Sequence, residues 1–453
     1  GTWDVLRPSG IVDLILRQET DASTTERHYD VLLRSVRSDA EMLPLPATEV
    51  TGELQVEGGA LRFSDLRARM GPALVSCGNG YVGPSVTPGR SEVAFTVSSQ
   101  GFPLDDTFAR LFVGPMKQAV LDRQLRGAID IHGLQLRFLL PQDGTDQRIE
   151  TVLQGSINAL DVECLLGTRL QRVNGNLSIG ESHVTQEGGT IHGSFSKGSL
   201  SLFSHPFSSA TADFVVEPDH FSLQNLEFTL HGGNVEGHDP TKDALTYVFG
   251  DSKGGPGQLS ANLDFAGVSL REFLAHCGLT STPFHGTTTG HIELERLDGF
   301  DFVDMKGRGE LSVVDGNLGT VPLFTAIYAL MAEKNRPRFE NLTAKFDVRD
   351  RKIDLTDLVL KSPLITLRGG GQMSMEGYLD VAVTTDSFLG GGADMLLLPP
   401  VIQMITSNLV RFHLFGHVRD VQAEQRWFGQ SDPRRQRLQP VPPRLERPLR
   451  PDF

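Results

Sequence analysis

Apolar and polar residues alternate along most of this chain, with short polar or glycine breaks between the runs. One version of the pattern is written three times. Residues 54–68 carry Leu54, Val56, Leu61, Phe63 and Leu66; residues 214–228 carry Phe214, Val216, Phe221, Leu223, Leu226 and Phe228; residues 346–360 carry Phe346, Val348, Ile353, Leu355, Leu358 and Leu360. Period-two alternation gives a strand one apolar face and one wet face. Each copy therefore predicts two antiparallel strands joined by a tight turn. Leu177–Ile179 with Val184 reads as a decayed fourth copy.

Within each copy one apolar step is three residues instead of two: Phe63 to Leu66, Leu223 to Leu226, Leu355 to Leu358. The residue before the Leu is Asp65, Asn225 or Asp357. A slip of one residue would turn every later apolar side chain to the wrong face. A β-bulge restores the face and increases local twist, so bulges or tight bends are predicted at all three sites.

The same reading predicts strands at Gly10–Arg17, Tyr29–Arg34, Gly52–Val56, Ala60–Ala68, Val75–Val82, Ser91–Val97 and Arg126–Leu140, and further strands through most of the remainder. The alternation gives way to helical spacing at 103–125, Ser269–His276, Pro322–Ala332 and Ala393–Asn408. Residues His238–Gly257 are polar and glycine-rich and read as an exposed loop. Asp315-Gly316 favours a tight hairpin. The chain thus divides into 1–102 (β), 103–125 (helical insert), 126–304 (β), 305–420 (β with helical inserts) and 421–453, an Arg/Pro-rich tail whose composition favours polyproline or disorder.

Composition narrows the function classes. Among 453 residues there are 26 Phe against 5 Tyr and 2 Trp. Phe has no polar atom to satisfy and suits a dry interior or a lipid-wetted wall. A net charge of −14 argues against nucleic acid as a partner. The three cysteines, Cys77, Cys164 and Cys277, have no zinc or CxxC spacing and read as inert thiols. The stretch Met395–Phe415 is too interrupted for a membrane-spanning helix. The opening Gly-Thr-Trp, without Met, reads as a processed chain or a portion of a longer one, whose anchor lies outside it.

Catalytic motifs are missing from the sequence: there is no Walker loop, HExxH or GxSxG. Gly369-Gly370-Gly371 and Gly390-Gly391-Gly392 read as turns or close backbone contacts. His276-Cys277 ends an apolar helix and reads as structural. Asp298, Asp301 and Asp304, near Glu293 and Glu295, lack calcium-loop spacing and read as turn or surface carboxylates. The sequons at Asn176 and Asn341 fall in predicted strands. No catalytic residue, cofactor or metal ligand is assigned.

Residues 305–420 carry an ordered run of short motifs. Gly307-x-Gly309-x-Leu311-x-Val313-x-Asp315-Gly316-x-Leu318-x-x-Val321-Pro322-Leu323 is followed by Phe339-x-x-Leu342-x-Ala344-x-Phe346-x-Val348, then Ile353-x-Leu355-x-Asp357-Leu358-x-Leu360-x-Ser362-Pro363 and Leu367-x-Gly369-x-Gly371. Phe412-x-Leu414-x-Gly416-x-Val418-x-Asp420 resembles a closing strand, with His417 and Val421 departing from the usual residues. This run resembles the C-terminal region of the AsmA-like family. The resemblance implies a mainly β fold: an elongated, twisted antiparallel sheet curled into a hydrophobic groove, with a few short amphipathic helices. It also implies a periplasmic envelope protein anchored at the inner membrane, without catalytic residues. Such a protein conducts phospholipid or another acyl-chain lipid toward the outer membrane. The groove wall is then expected at the apolar residues of the three copies. The competing expectation is a structural or adhesive β-protein whose apolar face is closed and dry.

Overall fold

The computed structural model describes residues 8–20, 25–39, 45–111, 118, 120–141, 149–166, 168–185, 188–250, 257–276, 285–299, 302–316, 340–362, 365–388, 410–417 and 420–427. They form one elongated, twisted antiparallel sheet of 23 strands, curled into a groove. In chain order these are β1 (Pro8–Thr20), β2 (Thr25–Ser38), β3 (Ala47–Glu57), β4 (Ala60–Met70), β5 (Ala73–Pro84), β6 (Arg90–Leu104), β7 (Arg126–Pro141), β8 (Glu150–Leu166), β9 (Thr168–Thr185), β10 (Gly188–Leu202), β11 (His205–Val216) and β12 (His220–Leu230). There follow β13 (Gly233–Gly237), β14 (Leu245–Val248), β15 (Gln258–Ser269), β16 (Thr287–Asp298), β17 (Lys306–Val314), β18 (Asn341–Arg349), β19 (Lys352–Lys361), β20 (Ile365–Ser374), β21 (Tyr378–Phe388), β22 (Val410–His417) and β23 (Asp420–Trp427). Helix α1 (Leu270–His276) follows β15, and single 3₁₀ turns lie at Phe108–Leu111 and Phe302–Asp304.

The topology is a meander. Each strand pairs antiparallel with its chain neighbours, and only β13 and β14 share one place, both lying between β12 and β15. At roughly 4.8 Å per strand the sheet is about 100 Å long. The three repeated copies are the hairpins β3–β4, β11–β12 and β18–β19. The first turns through Gly58 and Gly59, both at positive φ; the third uses Asp350 and Arg351, also both positive. That geometry matches the right-handed twist of the flanking strands.

All three predicted bulge sites shift register. The shift falls opposite Asp65 between Thr51 and Glu53, opposite Asn225 between Thr211 and Asp213, and between Leu355 and Leu358 around Asp357. The device is more general than the three copies showed. Glu49, Asp65, Gly101, Gly133, Asp161, Arg172, Lys197, Ser209, Asn225 and Gly267 all lie in strand interiors in the left-handed region, with φ from 48° to 72°. Each directly precedes the residue at which alternation resumes after a step of three: Val50, Leu66, Phe102, Leu134, Val162, Val173, Gly198, Ala210, Leu226 and Val268.

Bulges break the ladder, so their amides need other partners. Gly101 N donates to Asp130 Oδ1 at 2.7 Å, Gly133 N to Ser98 Oγ at 3.0 Å, and Asp161 N to Asn174 Oδ1 at 2.8 Å. Each acceptor stands on the adjoining strand, so a bulge is held by its neighbour.

Several expectations are corrected. Residues 238–257 contain β14 as well as loop; Tyr247 and Ala244 are buried there, because two short strands fill the place of one long one. Pro103 and Leu104 belong to β6, and Arg126 opens β7, so the insert between them is shorter than 103–125. Asp315 has positive φ but opens no two-residue hairpin: β17 pairs with β18, and Gly316 N donates to Glu340 O at 2.8 Å. Residues 421–427 are β23, paired with β22 along its length, so Phe412–Asp420 is not the last strand. For Gly369-Gly370-Gly371 the expectation of close backbone contacts holds and that of a turn does not: the run is mid-strand in β20, where backbone of β19 and β21 occupies the space a Cβ would take. The expectations for Pro322–Ala332, Ala393–Asn408, Gly390–Gly392, Cys277, Asp301 and the tail beyond 427 lie outside the described residues.

Candidate functional site: an apolar trough along the sheet

Because cross-strand partners share a face, register shows how the apolar positions join. One row runs Leu14–Val31–Leu54–Phe63–Gly80–Phe95–Leu136–Leu153 across eight strands. A parallel row runs Leu16–Tyr29–Val56–Leu61–Val82–Val93–Phe138. Further along, Phe214 pairs with Leu223 and Val216 with Phe221; Phe346 pairs with Leu355 and Val348 with Ile353. The apolar pairing thus spans β1–β8 and is found again at β11–β12 and β18–β19.

Its surroundings change along the way. Leu54, Val56, Leu61, Phe63 and Leu66 are all half-buried. In the central copy Phe214 and Leu226 are buried, while Val216, Phe221, Leu223 and Phe228 are half-buried. In the third, Phe346, Ile353 and Leu355 are half-buried, whereas Val348, Leu358 and Leu360 are buried, Leu360 completely. Leu358 and Leu360 belong to a cluster with Leu367, Val381, Val383, Phe412 and Leu414. On β1, at the opposite end, Val12, Leu14 and Leu16 are exposed.

The bulges divide the N-terminal strands into two legs. On one leg Ala47, Met70, Ala73, Phe102, Leu104, Ile129, Ala159 and Val162 form a buried cluster, against which Phe108 and Leu125 of the β6–β7 connection pack. The short helical insert thus completes a core along one flank. The other leg, with Leu54, Phe63, Phe95, Leu136 and Leu153, remains half-buried.

Aromatic rings lie flat on this wall. A Cβ on Gly80, Gly193, Gly290 or Gly309 would collide with the ring of Phe63, Phe214, Phe265 or Phe346, each the directly paired residue on the next strand. Glycine within a strand marks such close approach. Here it lets phenyl rings lie along the sheet instead of projecting across the trough. Sequence reasoning missed these pairs, because their partners are 17 to 37 residues apart and only register joins them.

The opposite face is polar, with ion pairs such as Arg34–Asp13, Arg137–Glu92 and Arg308–Glu293. Exposed pairs of this kind contribute about 0–1 kcal/mol each and serve solubility more than stability. Glu293 and Asp298 are engaged by Arg308 and Arg296, in keeping with surface carboxylates. A shallow depression of about 550 Å³ is lined mostly by residues of this face, among them Arg62, Tyr81, Thr96, Gln135 and Arg137, together with Gly80, Phe95 and Leu136 of the apolar row. Cys77 and Cys164 are free, and burial pushes both thiols up to about 11, which keeps them protonated and unreactive.

Among the described residues no helix is long and apolar enough to cross a membrane. No protein-family model matches the chain, and no curated protein matches it.

Proposed function

We propose that this chain is a non-enzymatic lipid-handling protein of the AsmA-like kind, which binds acyl chains of phospholipid in its trough and conducts them along the sheet. The carrying observation is the apolar row from Leu14 to Leu153, unbroken across eight strands and half-buried on all but the exposed edge strand. In a single-layered sheet such a face needs something apolar beside it. An acyl chain leaving water gains ~0.8 kcal/mol per buried CH₂, roughly 10 kcal/mol for a long chain. Leaving a bilayer it gains almost nothing, so lipid enters and leaves the same wall readily. The resemblance at residues 305–420 supports a periplasmic setting between inner and outer membrane, with attachment at the inner membrane.

The buried cluster around Leu360, Val383 and Leu414 favours a second reading for the C-terminal end alone: a dry scaffold that closes the trough. One experiment addresses both. The chain is purified without harsh detergent and its bound lipid identified by native mass spectrometry, with photo-crosslinking residues at Phe63, Phe95 or Leu360. Phospholipid captured at Phe63 and Phe95, and protein alone at Leu360, is the expected result. A lipid-free chain in which all three positions capture only protein would overturn the lipid reading.

A further inference from the structure

Three imidazoles meet at one rim of the sheet. His205 opens β11, His231 lies in the turn between β12 and β13, and His276 ends α1. His205 Nδ1 and His231 Nε2 are 2.8 Å apart, and the donor atoms of all three lie within 4.8 Å of one another. The His231 side chain is 1% exposed. Phe273 stacks on His205 with ring centroids 4.9 Å apart.

The groups around the imidazoles are arranged as for a ligand set. His276 Nδ1–H donates to the Glu272 carbonyl at 2.8 Å, which leaves the lone pair on Nε2. The Glu272 carboxylate stands 3.6 Å from His231 Nδ1, while His231 Nε2 faces His205. Outer-shell acceptors of this kind, a carboxylate and a backbone carbonyl, fix the tautomer of metal-bound histidines. The segment carrying these groups is itself anchored: Ser269 N donates to the His231 carbonyl at 3.1 Å, and Ser269 Oγ accepts from Glu272 N at 3.4 Å. Burial first, and then neighbouring imidazoles, hold His205 and His231 below the usual histidine value. Neutral imidazole is the form that binds metal.

Two other groups among the described residues have suitable atoms and differ in chemistry. Around Asp264, both His238 Nδ1 and His291 Nδ1 donate to the carboxylate at 2.8 Å, a closed set of hydrogen bonds. Glu217, Asp219 and His220 are close in sequence on a hairpin turn, with the Asp219 side chain 80% exposed.

We propose that His205 Nδ1, His231 Nε2 and His276 Nε2 bind a divalent cation of the zinc class, with Glu272 as outer-shell anchor, and that the ion clamps α1 to the β12–β13 turn. Three histidines with a fourth position left to water form an established zinc coordination set. Nitrogens on a tetrahedral zinc, at about 2.0–2.1 Å from the metal, stand roughly 3.3 Å apart. The His205–His231 pair therefore opens by roughly 0.5 Å on binding. His205 carries its one proton on Nε2 in the bound form, a tautomer change that leaves the ring neutral. This assignment is independent of what the trough carries.

The test uses the full chain, stripped with EDTA and titrated with zinc against a chromophoric chelator, then with cobalt(II) as a spectroscopic probe. One equivalent of zinc and the intense visible bands of tetrahedral cobalt are expected. His276→Ala weakens zinc binding by about 100-fold or more, Glu272→Gln by about 10–100-fold, and His238→Ala leaves it unchanged. Both His276 and Glu272 are exposed, so these variants keep the fold, which far-UV circular dichroism verifies. A wild-type chain without stoichiometric uptake, or zinc binding undisturbed by both His276→Ala and Glu272→Gln, would overturn the site.

Discussion

The hairpins β3–β4 and β18–β19 are written in one pattern and end in opposite surroundings. Leu61, Phe63 and Leu66 are half-buried along an open trough; Leu358 and Leu360 are sealed in a cluster of Leu, Val and Phe. Both hairpins turn tightly and both shift register, β3–β4 twice and β18–β19 once. Alternation therefore decides which face is apolar and leaves open what stands across from it.

The comparison is broken or sharpened most strongly by truncation. Leu360→Ala should cost about 2–5 kcal/mol, the range for a fully buried Leu. Leu54→Ala, in the trough, should cost about 1 kcal/mol, since much of its surface is still exposed. Hydrogen exchange of the two hairpins separates these losses, and equal losses at both ends would show that the trough is as closed as the C-terminal core.

A smaller effect tests the wall. Gly80→Ala places a methyl where the Phe63 ring lies, so the ring must leave the sheet, at about 1–3 kcal/mol for such overpacking. The same variant should narrow the trough and reduce the lipid retained, measured by phosphate content after purification. Unchanged stability and retention would show that the ring position has no bearing on the space.

The bulges come next. Asn225 is held at φ 48° and its Nδ2 donates to Asp213 at 2.7 Å. Asn225→Ala should lose about 1 kcal/mol, because a Cβ without a local hydrogen bond is disfavoured there. Lys197→Gly, at φ 52°, should gain up to ~1 kcal/mol by the same argument. Chemical denaturation checks both, and the opposite order of stabilities would refute the bulge assignment.

The smallest effect is a pH dependence at the rim between the two regions. Folded His205 and His231 take up protons at lower pH than ordinary imidazole, burial being the first cause for each. As pH falls below about 6.5, the unfolded chain binds protons that the metal-free folded chain refuses. Stability around α1 therefore drops through that window and levels off once the folded imidazoles are also protonated. Above about pH 7 both states hold neutral rings and the effect vanishes. Amide exchange of residues 269–276 at pH 7.5 and 5.5 reads this directly, and greater protection at the lower pH would contradict it.

Much of the architecture was legible in the sequence, because a sheet with one apolar face must alternate. The step of three at Asp65 and Asn225 even located bulges, since only an extra residue returns the next side chain to its face. At Arg172 and Lys197 the same step went unread: neither residue type favours the left-handed region, and no repeated copy drew attention to them. The loop expected at 238–257 hid β14, whose four residues are too few for alternation to register. The pairing of Phe63 with Gly80 and the meeting of His205, His231 and His276 depend on register and on the course of α1. Neither property is local, so no window along the chain contains them.

The meander has one more consequence. Since every strand leans only on its neighbours in the chain, a hairpin inserted or deleted in register alters the length of the structure and leaves its cross-section intact. Three hairpins written in one apolar pattern are what duplication within the chain would leave behind. In such a molecule reach is an adjustable quantity, set about 10 Å at a time, and a lineage could fit it to the distance it has to span without redesigning the wall.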